Sequence, residues 1–328
     1  YYSSAPTLQD ALRNVVIDSP RQLYAAQLEL IILSEEAATN HMSEILEYFS
    51  REPESRTEVK FVIARDDDST KAVTIQTLLT NFSSSNIKQS LELQQKVLGL
   101  TPVYTLNELL NMYLDPTLEI SLPSIIVYGN AEEGDKKENI TTSTPKALTK
   151  IGTTAIFKGK DFLGYLTEEE SKVHSIIIGS TKESIINLDY KDNYSVFELY
   201  KIESDISPDI KDNKITLNIS GKARIKEFHS NTNITKSKET DRLNKELNKH
   251  IEDIIKKNFN SMREKYNTDI FNFRQSFYRG NPKYYNTHYK DTWYESIFPN
   301  LTLEVKSNIK LYEKGNTLGG IEYENKNN

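Results

Sequence analysis

The 328-residue chain contains no cysteine, so disulfides, thiolate nucleophiles and thiolate metal sites are all excluded. No apolar run approaches the length that spans a bilayer as a helix. Basic residues are dispersed, and the formal net charge is −6, which argues against nucleic acid as a partner because nucleic-acid readers carry a basic stripe. An initiator methionine is missing too. The chain opens on Tyr1-Tyr2-Ser3-Ser4 with no signal-like apolar stretch, and an upstream segment is expected.

The motifs of catalysis are missing as well. There is no GxSxG elbow, no HExxH pair and no GxGxxG after a strand, and Gly152 and Gly159-Lys160 have the wrong spacing for a P-loop. The histidines, His41, His174, His229, His250 and His288, are scattered, which argues against a zinc hydrolase. Asp66-Asp67-Asp68 lacks the glycine and distal glutamate of an EF-hand loop and reads as a solvated turn feeding a helix. Glu168-Glu169-Glu170 is explained by the favourable field at a helix N-terminus rather than as a general acid/base pair. No catalytic, cofactor-binding or metal-ligating residue is assigned, and no cofactor is expected. Sequons at Asn139 and Asn233 carry little weight in a chain so rich in asparagine.

What is present is patterned for packing. LELIIL (28–33), VKFVIA (59–64) and SIIVYG (124–129) are apolar runs of strand length. Helical segments separate them: 42–49, from Ser69 onward, about 86–98, and 106–114, with Thr7 capping a helix near the start. Strands alternating with helices predict a sheet covered on at least one face. Residues 130–150, charged and then Ser/Thr-rich without periodicity, read as a linker or exposed loop.

Beyond it, AIFKGKDFLGYLTEEES (155–171) reads as a hairpin turning at Lys158-Gly159-Lys160-Asp161, then a helix opened by a Thr167/Glu170 capping box. Short strands are expected near 175–178 and 184–188. Alternation at Ile215, Leu217 and Ile219 predicts another strand, with Gly221 at a bulge or bend. A long helix from about 238 to Tyr266 carries its apolar stripe on Leu243, Leu247, Ile251, Ile254, Ile255 and Met262. A second helical piece ends near Gly280. The aromatics at 271–298 read as core rather than as a stacking surface for a ligand. The closing strand alternates Leu301, Leu303, Val305, Ile309 and Leu311 against polar neighbours, and the tail after about 316 is expected to be loose. The overall class is α+β, a mixed architecture of sheets packed with helices.

Several of these blocks, in order, resemble the Ger(x)C family of lipoproteins, the C subunits of nutrient germinant receptors in endospore-forming bacteria. They are YYSSAPTLQDALRNVVIDSPRQLYAAQLELIILSEEAA, with its Ser19-Pro20-Arg21 step, then EILEYFSREPESRTEVKFVIAR and the hairpin-helix block AIFKGKDFLGYLTEEES. YSVFELYKIESDISPDI, GKARIKEF and WYESIFPNLTLEVKSNIKL complete the series. The last of the first three is the most specific; no single short motif carries the likeness. Family members begin with a signal peptide, a lipobox cysteine and early strands that this sequence does not contain, so the first sheet is expected to be short of strands.

The resemblance implies three small domains, assigned to 1–135, 136–195 and 196–328. It implies a lipid-anchored place on the outer face of the spore's inner membrane, two acyl chains giving stable anchoring where one is marginal. The implied partners are a polytopic A subunit and a transporter-like B subunit, and the implied role is noncatalytic: receptor assembly and nutrient-triggered germination. The competing reading is an independent extracytoplasmic small-molecule binding lipoprotein, which needs an enclosed apolar pocket with a few convergent polar groups. A complex subunit should expose apolar patches; the expected interaction surface comprises Gly164, Glu168 and Glu169, and Trp293, Phe298 and Pro299.

Overall fold

The computed structural model of the chain describes residues 2–19, 25–52, 58–67, 69–77, 83–191, 193–229, 234 and 237–313. Asp68, Asn233, the Pro20-Arg21 step and the expected loose tail lie outside the described residues. The chain divides into two compact units, residues 1–92 with 103–165 and residues 93–102 with 166–328. The stretch 136–195, expected as a middle domain, is shared between them: 136–165 group with the first unit and 166–195 with the second.

The first unit begins with α1 (Leu8–Asn14), whose N-cap is Thr7 accepting from the Asp10 N–H. It continues through β1 (Leu30–Ser34), α2 (Glu35–Asn40), α3 (Met42–Arg51), β2 (Lys60–Ala64), α4 (Ser69–Thr74), α5 (Ser83–Val97, of which 93–97 group with the second unit) and α6 (Leu106–Leu114). Then follow β3 (Ser121–Leu122), β4 (Ser124–Gly129), α7 (Ala131–Gly134), α8 (Glu138–Thr141), β5 (Ala147–Ile151), β6 (Ala155–Lys158) and β7 (Asp161–Tyr165). One sheet has the order β1-β2-β4-β5, parallel except for antiparallel β5, and a second has the order β3-β6-β7. The period of two along β2 shows that the larger sheet is covered on both faces. Phe61 and Ile63 pack with Met42, Leu46, Leu109 and Phe157, while Val62 and Ala64 pack with Ala72, Ile87 and Leu91.

Residues 130–150 are not a linker. They form α7, α8 and β5, and β5 completes the larger sheet. The reason is Asn139, buried inside this stretch. Its carbonyl oxygen accepts from the Lys146 and Ala147 N–H groups at 2.7 and 3.1 Å, and its amide donates to the Gln76 and Ala147 carbonyls at 2.9 Å each. One side chain thus satisfies four backbone groups that no periodic pattern covers. The sequon asparagine is a packing element.

The second unit comprises α9 (Glu168–Ile177), β8 (Glu183–Tyr190), β9 (Asn193–Asp209), β10 (Lys214–Phe228), α10 (Ser237–Tyr266), α11 (Phe273–Gly280), α12 (Pro282–His288) and β11 (Thr302–Glu313). The expected strand at 175–178 is instead the end of α9 and its cap. The Thr167/Glu170 capping box starts a helix whose i→i−4 bonds run on to Ile178. The four-stranded sheet has the order β11-β10-β9-β8, antiparallel except for the β10–β11 pair. At Gly221 the ladder with β9 slips by one residue, the expected bulge. The inner face of the sheet packs on the α10 stripe Leu243, Leu247, Ile251, Ile255, Phe259 and Met262, all buried.

Candidate functional site

The hairpin block places its residues as the sequence implies. Gly164 lies in β7 with φ +126° and open space where a Cβ would sit, next to the register slip between Ile156 and Phe157. The hairpin tip is tied down by the Gly159 N–H, which donates to the Glu119 carboxylate at 2.6 Å.

In the second unit, Glu168 and Glu169 are exposed at the start of α9, and each has a partner. Glu168 pairs with Lys172 at 2.6 Å, and Glu169 accepts from the Asn258 amide at 2.7 Å, with Lys257 at 3.6 Å. Glu170 is buried, closing the capping box and accepting from the Ser261 hydroxyl at 2.9 Å. Glu169 and Glu170 fasten α9 to α10, while the Glu168 pair stays within α9.

Trp293 and Phe298 lie in the interior, not on a surface: they are 1% and 0% exposed. A π turn at 293–297, closed by the Phe298 N–H donating to the Trp293 carbonyl at 2.7 Å, turns both rings inward. There they stack on each other at 6.2 Å between centroids and meet Phe277, Tyr285 and Phe259. Aromatic area is worth more buried against other rings than in water, which overrides any surface role for these two. Pro299 stays half-buried. Phe271, Phe273, Phe277, Tyr285 and Tyr289 are core with Trp293 and Phe298, as the spacing implies, while Tyr278 is exposed and Tyr284 and Tyr294 are half-buried. The anchor of this core, which the sequence did not announce, is buried Asp269. Its carboxylate accepts from the N–H groups of Phe271, Phe273 and Arg274 at 3.2, 3.3 and 2.5 Å and so caps α11.

Among the described residues, no three His, Asp or Glu side chains gather as a metal site. Asp66 lies in the first unit and Glu168 in the second. Each histidine has its own local partner: Glu44, the Ile270 carbonyl, Glu227, the Asn187 carbonyl and the Tyr284 carbonyl, in chain order. His174 is fully buried, and desolvation pulls its pKa down to about 4 against a smaller opposing effect of the bond to Ile270. It is therefore neutral near pH 7, with Nε2–H donating at 2.9 Å.

In the first unit, Arg65 at the end of β2 donates to the Ser124 and Thr153 hydroxyls at 3.0 and 2.5 Å and lies 3.8 Å over the Tyr165 ring. Tyr165 donates to Glu35 at 2.5 Å. Burial lowers the Arg65 pKa, and burial together with Glu35 raises that of Tyr165. This clasp ties β2, β4, β7 and α2 together. The only sequence signal for it is an arginine directly after a buried strand.

A groove of about 510 Å³ lies wholly within the second unit, between α9, α10 and β8. Val173 and Ile176 of α9 form one wall, and Ile251, Ile254 and Ile255 of α10 the other. The third side is the strand edge itself, Ser184 to Asn187. Glu168, Glu169, Lys172 and Lys257 form a charged rim over an apolar floor. Glu168 and Glu169 thus belong to this groove, whereas Gly164 lies in the first unit. The groove went unseen in the sequence because its walls come from segments some 80 residues apart.

Comparison with known proteins gives consistent results. Residues 1–127 match the family described as spore germination protein N-terminal domain, and residues 152–315 match the family described as spore germination B3/GerAC like, C-terminal. The chain is 22% identical over 321 residues to spore germination protein KC of Bacillus subtilis (strain 168), covering 96% of this chain and 78% of that protein. It also superimposes on the crystal structure of the GerBC protein with a TM-score of 0.58 at 18% identity, over 91% of this chain and 83% of the other. The last comparison speaks to the fold.

Proposed function

The chain belongs to the Ger(x)C family of spore germination proteins, and from that premise we propose that it is the C subunit of a nutrient germinant receptor. The observation that carries this reading is the pair of family matches, which run in order along nearly the whole chain. The role is that of an interaction protein in receptor assembly, coupling nutrient sensing to germination without chemistry of its own. The partners are a polytopic A subunit and a transporter-like B subunit. The parent protein is held on the outer face of the spore's inner membrane by an N-terminal lipid. The structure is compatible with this: none of the helices among the described residues is long and apolar enough to cross a membrane.

The test is deletion of the gene in the parent organism, with spores followed by loss of optical density after nutrient addition. Normal sporulation with a failed response to one nutrient class, restored by the wild-type gene, is the expected result. Unchanged germination with every nutrient, in a strain stripped of other receptors, sinks the reading. Isothermal titration of the chain against amino acids and nucleosides addresses the independent binding protein; a tight, saturable site would favour it.

A further inference from the structure

The sheet of the second unit has two edges, and α10 reaches both. Along β11 it seals the edge: the N–H groups of Ser307, Ile309 and Leu311 donate to Glu252, Asn248 and Asn244 at 2.9, 2.7 and 2.8 Å. These three acceptors sit four residues apart on one flank of the helix and imitate a neighbouring strand. Along β8 the α10 side chain bonded to the edge among the described residues is His250, with Nε2 2.8 Å from the Asn187 carbonyl. Among the described residues no strand pairs with the outer side of β8. Thr181 caps the start of this edge, its hydroxyl accepting from the Glu183 N–H at 3.3 Å and donating to the Glu183 carbonyl at 2.7 Å. Beyond that cap, an unpaired edge beside an apolar floor is a template for another strand, and folded proteins ordinarily cover it.

Alternate residues of an antiparallel strand turn both backbone groups outward. The Asn187 carbonyl faces His250, so Ile185 belongs to the same outward set, and its side chain is 42% exposed beside the groove. We propose that β8 and this groove receive an extended segment of a partner polypeptide, which adds to the sheet as a fifth strand and seats apolar side chains between α9 and α10. Such strand addition takes affinity from main-chain hydrogen bonds and specificity from alternate side-chain pockets. Glu183 and Asp189 flank the site on the same face of β8, so the fitting segment is apolar in its centre with a Lys or Arg at each end, six positions apart. Two copies of β8 paired antiparallel about Ile186 would set Glu183 against Asp189, like charge on like, which favours a foreign strand over a second copy. Entry of the strand displaces His250 from Asn187.

The site stands on geometry; only the identity of its occupant as another receptor component rests on the receptor-subunit reading. The probe is a fluorescein-labelled heptapeptide, Lys-Val-Thr-Val-Thr-Val-Lys, titrated with the full chain and read by anisotropy. Saturable binding is expected, weakened at least about tenfold by Ile185→Pro, which removes an outward N–H and leaves the β8–β9 ladder intact. The analogue with Glu at both ends should bind more weakly, and His250→Ala should tighten binding. Should Ile185→Pro fail to fold, Ile254→Glu on the α10 wall carries the same test. Absence of saturable binding, or equal binding by wild type and the folded variant, overturns the proposal. So does a dimer of the chain that Ile185→Pro dissolves, which would make the occupant a second copy. Ile185→Pro spores that germinate normally where deletion spores do not would overturn this surface and leave the receptor role standing.

Discussion

The two flanks of α10 solve the same problem differently. On the β11 side, three polar side chains of the helix replace a missing strand. On the β8 side, the helix stands off, one histidine bridges, and isoleucines line the gap. Both edges need their backbone groups satisfied, and water can do this only where it has access. The sealed edge is therefore a stability element, and the open edge contributes little to stability and stays available. The contrast teaches that the polar residues of an amphipathic helix, not its apolar stripe, decide which side of a sheet is finished.

The largest expected effect concerns the wall of the open side. His174 anchors α9 to the loop after α10, and its folded pKa lies near 4 against an unfolded value near 6.5. A depressed folded pKa means that the unfolded chain binds the proton first. The associated stability is complete above pH 6.5 and is lost as pH falls toward 4, by at most about 3 kcal/mol. Urea midpoints at pH 7.5 and 4.5 should separate strongly in wild type and less in His174→Gln, which retains a donor for Ile270. Equal separations would assign the acid sensitivity elsewhere.

Next comes the sealed edge. Asn248→Ala removes an acceptor for the Ile309 N–H and the Ser307 hydroxyl and a donor to the Ile309 carbonyl. Stability should drop by about 2 kcal/mol, because half-buried backbone groups are left unpaired. Asn244→Ala, which strands only the Leu311 N–H, should lose about 1 kcal/mol. Chemical denaturation measures both; two losses near zero would mean that water substitutes along this edge and the contrast dissolves. The smallest effect belongs to the open edge: Ile185→Pro should change stability by under about 0.5 kcal/mol. A loss as large as that of Asn248→Ala would show that β8 is as finished as β11.

Much of the fold was legible in the sequence because its causes are short-range. The strand at 124–129 and the helix at 106–114 fall on the expected residues, as do the Thr167/Glu170 capping box and the bulge at Gly221. Each rests on period-two or period-3.6 patterning, a capping side chain or a backbone preference. Misreadings arose where one polar side chain organises a stretch without periodicity, as Asn139 does for 130–150. They also arose where apolar residues continue a helix past the point at which a strand was expected, as at 175–178. Trp293 and Phe298 show the same limit, since an aromatic residue near a turn can face either way until its neighbours are placed.

By itself the sequence determined the α+β class, the principal strands and helices, the exclusion of thiol chemistry and membership in the Ger(x)C family. Those follow from composition and from patterns that act within a few residues. Only the tertiary structure decided that Asn248 bonds Ile309, 61 positions away, that Arg65 lies over Tyr165, and that β8 borders an apolar groove. Such contacts depend on strand register and helix rotation, which are settled only when all the segments pack at once.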